Sequence, residues 1–155
     1  YLARRYDEAV AQYRAALDLD PAFVDAREGM LMASNAMGMY AQPISELMQL
    51  PEAVSRETAS RLESAYANQG VRGYWRTYLE LADAPSSEIR SSPYVRARLH
   101  ARLGEPELAL QWLGVAYAER DGGLSLMKVD PGLDTLRTDP RFARILHGVG
   151  LAEGR

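Results

Sequence analysis

A chain of 155 residues with 47% apolar and 25% charged side chains is long enough to bury a core, as one domain or a short array of repeats. Its net charge of −3 offers no basic face to displace counterions, which argues against nucleic-acid binding, and the lack of cysteine excludes disulfides, a thiolate nucleophile and a cysteine zinc site. No apolar run approaches the ~18 residues that a membrane span needs, and no signal peptide is visible, so no membrane partner and a cytoplasmic location are expected.

In chain order, Tyr6, Ala9, Val10, Tyr13, Ala16 and Leu17 recur on one face of a helix that Pro21 closes. A second helix is expected from Ala22 to Met37, stopped by Gly38, and a short third from Ala41 to Gln49 before Pro51. Ser55 begins a helix through Ala59, Leu62, Ala65 and Tyr66 that halts at "NQG". In "VRGYWRTYLELA" the side chains of Tyr74, Trp75, Tyr78 and Leu79 meet on one face. "DAPSSEIRSS" reads as a linker, and Ser92-Pro93 is an N-cap followed by proline in the first turn. That helix runs to Leu103 and stops at Gly104. The next, "EPELALQWLGVAYAER", is expected to turn Leu108, Ala109, Trp112, Leu113 and Ala116 inward, with Trp112 buried between the helix that starts near Pro93 and the 130–149 segment. No segment keeps a period-two alternation for long, so the expected fold class is all-α, with helix pairs split by single glycines in the manner of a helical repeat.

"RYDEAVAQYRAALDLDP" resembles the second helix of a tetratricopeptide repeat: Tyr6, Asp7, Glu8, Ala9, Val10, Tyr13, Ala16, Leu17 and Pro21 fill the family's places in order. Gly38 and Tyr40 fit a following turn, and "RLGEPELALQWLGVAYAER" matches again through Gly104, Ala109, Trp112, Leu113 and Ala116. The closing "LMKVDPGLDTLRTDPRFARILHGVGL" looks like the end of bacterial multidomain signalling proteins, in which such repeats follow an OmpR-type winged-helix domain, a Ser/Thr kinase or an adenylate cyclase. The resemblance implies helical hairpins wound into a right-handed superhelix with a C-terminal helical cap. It divides the chain into repeats (1–50), a degenerate pair and linker (51–90), a last repeat (91–120) and the cap (121–155). The chain opens mid-pattern and is expected to be a piece of a longer protein. Arg96 and His100 stand where the family points apolar residues inward.

"KVDPGLDTLRTDPRF" raises the question of chemistry, because it gathers three aspartates and two arginines. Asp130-Pro131 and Asp139-Pro140 are each an acid before a proline, the pattern of an N-cap with proline in the first turn, so each is expected to start a short helix. The alternating ligands, central glycine and distant glutamate of a calcium loop are missing. Met30, Met32, Met37 and Met39 could offer thioethers to Cu(I), but methionine is more often a core or groove filler. The two histidines, His100 and His147, belong to no Cys–His, Ser–His–Asp or HExxH pattern. Arg72, Arg76, Arg96, Arg98 and Arg102 would form an anion patch or simply solvated faces with snorkelling stems.

No catalytic, cofactor or metal residue is therefore expected, and the chain reads as a non-enzymatic module that binds a protein or peptide partner. The alternatives are a structural or homodimerising segment and a sensor of a small effector. The resemblance implies a concave groove lined by the first helix of each pair: Asp25, Glu28, Met32 and Asn35 in one repeat, and Ser91, Tyr94, Arg98 and Ala101, with Arg102 alongside, in the last. That groove would be acidic at one end and arginine-bearing at the other.

Overall fold

The computed structural model describes residues 3–20, 26, 29–30, 33–34, 36–37, 55–85, 89 and 91–151. The protein is all-helical among these residues, with no strand. It divides into two compact units, Tyr1–Leu81 and Ala82–Arg155.

In the first unit, α1 spans Tyr6–Leu19. Its apolar stripe, Tyr6 to Leu17, is half-buried throughout, and none of its residues is fully enclosed. Ala26, Met30, Ala33 and Ser34 are buried at helical spacing, which makes Met30 a core filler. Tyr13 lies so close over Gly29 that a Cβ there would come within 2.3 Å of the phenol ring, so only glycine admits this contact. The expected helix from Ala41 to Gln49 lies outside the described residues.

The next helix, α2, covers Arg56–Asp83 but is two helical stretches joined at Gly70, whose φ of 64° and ψ of −160° no L side chain adopts readily. The break falls at the "NQG" that the sequence marks as a stop. Ser55 heads the first stretch, accepting from Thr58 N–H at 3.2 Å. The second buries Tyr74, Trp75 and Leu79, while Tyr78 is half-buried and its ring centroid lies 6.5 Å from that of Tyr74. Burial, and then the neighbouring Tyr78, push the Tyr74 phenol above the ordinary tyrosine range, so it stays protonated.

The second unit is built on two helices, α3 (Pro93–Leu103) and α4 (Pro106–Glu119). Ser92 caps α3 by accepting from Val95 N–H at 3.3 Å. Gly104 closes it with φ 77°, and the Glu105 amide reaches back to the His100 carbonyl at 2.9 Å. Two residues then suffice to turn the chain into α4, which fixes an antiparallel hairpin. Ala97 and Ala101 on α3 face Ala109, Leu113 and Ala116 on α4, and small side chains let the two helices approach closely. α4 ends at Arg120, a non-glycine residue in the left-handed region with φ 56°.

Two expected positions on α4 are corrected here. Leu108 is 41% exposed, and Leu110 takes its place in the core. Trp112 is half-buried at the edge of the core rather than enclosed by it. The buried face is that of Ala109, Leu110, Leu113 and Ala116, and Trp112 lies at its margin. There Arg96 stacks on the indole, its guanidinium carbon 4.8 Å from the ring centroid. Leu113→Ala is therefore expected to cost about 3–5 kcal/mol, as for a fully enclosed leucine, and Trp112→Ala only about 2 kcal/mol. Urea unfolding followed by circular dichroism checks the ranking; the reverse order would mean that Trp112 is the buried anchor after all.

After Arg120 the chain makes two short 3₁₀ turns, Gly122–Leu126 and Pro131–Leu136, and then α5 (Pro140–Gly148). Leu124, Met127, Leu133, Leu136 and Phe142 are buried in one core with the hairpin. Ile145, Leu146 and Val149 pack against it at the margin.

Candidate functional site

Three of the four aspartates of the closing segment sit nine residues apart, at 121, 130 and 139, and each of these heads a helical turn. Asp121 accepts from Gly123 N–H at 2.9 Å, Asp130 from Gly132 N–H at 2.8 Å and Asp139 from Arg141 N–H at 2.8 Å. The expected role of Asp130 and Asp139 as N-caps is thus what the structure shows. Asp121 is a third such cap, at an Asp-Gly-Gly in the sequence.

Each cap also ties the segment to the hairpin. Asp121 accepts from Tyr94 N–H at 2.9 Å. Burial raises the Asp121 carboxyl, but the Tyr94 and Gly123 amides and the Ser92 hydroxyl together outweigh it and hold it below the usual carboxylate range. Asp130 is 1% exposed. Its Oδ2 accepts from the Tyr94 hydroxyl at 2.9 Å and lies 2.8 Å from Arg98 Nε. A buried carboxylate needs this combination of cation and donors to offset the loss of water. Arg98 and Arg102 both crowd Gly132, since a Cβ there would lie 3.2 Å and 3.3 Å from their Nε atoms. Arg137 braces the same turn from outside, donating to the carbonyls of Lys128 at 2.7 Å and Asp130 at 3.1 Å.

Asp139 works through Arg141. That guanidinium grips Glu107 at the start of α4 with two bonds of 2.6 Å and 2.7 Å, and Asp139 with a further bond of 2.8 Å. The Arg141 side chain, and then its amide, hold the Asp139 carboxyl down to about 2, and the same guanidinium lowers Glu107. A carboxyl depressed from 3.8 stabilises the fold fully above the unfolded value and loses that contribution as pH falls through about 2. The urea midpoint should therefore drop between about pH 5 and pH 2 more steeply in the native chain than in Arg141→Gln. Parallel curves would remove the clamp from the account. Nothing local in the sequence signals the partnership of Glu107 with Arg141, because the two lie far apart along the chain.

The groove residues expected from the resemblance fall into two groups. Asp25, Glu28, Met32 and Asn35 lie outside the described residues. Tyr94, Arg98 and Arg102 come together on α3, but against the chain's own Pro131–Leu136 turn: Tyr94 is 3% exposed, the Arg98 side chain 14%, and Arg102 is half-buried. Ala101 is buried and Ser91 half-buried. On this face α3 meets the Asp130 carboxylate and packs with Leu133 and Leu136 in one core. Arg96 and His100 are both largely buried, their side chains 12% and 14% exposed, and each has polar partners there. Arg96 bonds the Ala82 carbonyl at 3.1 Å and also Asp83, and His100 Nδ1 bonds Glu105 at 2.8 Å.

No group of three histidine, aspartate or glutamate side chains among the described residues could hold a metal ion, and none of the helices searched is long and apolar enough to cross a membrane. No family model, curated protein or solved structure matches the chain.

Proposed function

We propose that this chain is a non-enzymatic protein–protein interaction module of tetratricopeptide-like helical hairpins, wound as a right-handed superhelix and closed by a C-terminal cap. It would serve as the sensing or scaffolding part of a bacterial transcriptional regulator or other signalling protein. The observation that carries this reading is the α3–α4 hairpin, with its Gly104 closure and alanine-lined seam, sealed on one side by the turns headed by Asp121, Asp130 and Asp139. A repeat array needs such a seal at its end. The polar groups of the closing segment support it too, since they cap helices and join elements.

With the α3 face occupied in cis, the partner-facing groove reduces to Asp25, Glu28, Met32 and Asn35. A photo-reactive residue at position 28 tests this against one at Ser125, which is exposed on the closing segment. Cross-linking in cells should give a discrete adduct with another protein from position 28 and none from position 125. A self-adduct would favour the dimerisation reading, and the absence of any adduct from position 28 would overturn the groove.

A further inference from the structure

We draw no further inference here: the strongest candidate, the surface patch of exposed Leu108 and Val115 beside half-buried Trp112 along one edge of α4, carries nothing because no feature of the structure shows what partner covers it.

Discussion

Deleting everything after Asp130 is expected to unfold the Ala82–Arg155 unit or convert it into a self-associating species. The deletion removes Leu133, Leu136 and Phe142, each at most 2% exposed, and uncovers the alanine and leucine faces of α3 and α4 beneath them. Fully burying one such side chain is worth about 1.5–3 kcal/mol, so the three together contribute roughly 5–9 kcal/mol. That is comparable to the whole stability of a small domain, about 5–15 kcal/mol. Loss of Arg141 also releases Glu107, and loss of Gly132 releases Asp130. Size-exclusion chromatography at several concentrations reads the outcome. A truncated chain that stays monomeric and melts like the parent would show that the segment is an appendage rather than a layer of the core.

The second large effect is expected at Asp130. Asp130→Ala leaves the Tyr94 hydroxyl and the Gly132 amide without their acceptor and Arg98 without its buried counter-charge. Breaking a buried pair from one side typically costs about 3–5 kcal/mol, because the remaining charge stays desolvated. Asp130→Asn keeps an acceptor in place but no charge, and should cost distinctly less. Urea unfolding followed by Trp112 fluorescence in a Trp75→Phe background isolates the second unit. Equal losses for the two substitutions would mean that the charge contributes nothing and only the hydrogen bonds matter.

The same residues show what the sequence could and could not convey. Helix starts and stops were legible wherever a single residue decides them. Ser55, Ser92, Gly104, Asp130 and Asp139 all act where their chemistry places them, and Gly70 breaks α2 at the expected stop. Which face of a helix turns inward was less legible. On α4 the apolar residues Leu108, Trp112 and Val115 form a stripe as regular as the true core row, and only the narrowness of the α3 seam chooses between them. The surroundings of the expected groove end were not legible for a related reason. Tyr94 and Arg98 look like residues for a ligand because the resemblance places them on a groove-lining face, and it says nothing about a segment more than thirty residues later packing against that face. Long-range pairs such as Glu107 with Arg141 leave no local trace at all.

The closing segment also has a kinetic consequence. The α3–α4 hairpin closes through a two-residue connection, whereas Tyr94 must find Asp130 across 36 positions and Glu107 must find Arg141 across 34. Loop closure over the longer span costs more entropy before any contact rewards it. The hairpin should accordingly assemble first and the three capped turns dock late. Bonds made after the transition state govern escape from the native state rather than entry into it. Asp130→Asn should then accelerate unfolding while leaving refolding nearly unchanged in stopped-flow fluorescence; slowed refolding would place Asp130 in the folding nucleus. On this account the carboxylate on Tyr94 and Arg98 sets how long the second unit survives once formed, and has little influence on how quickly it forms.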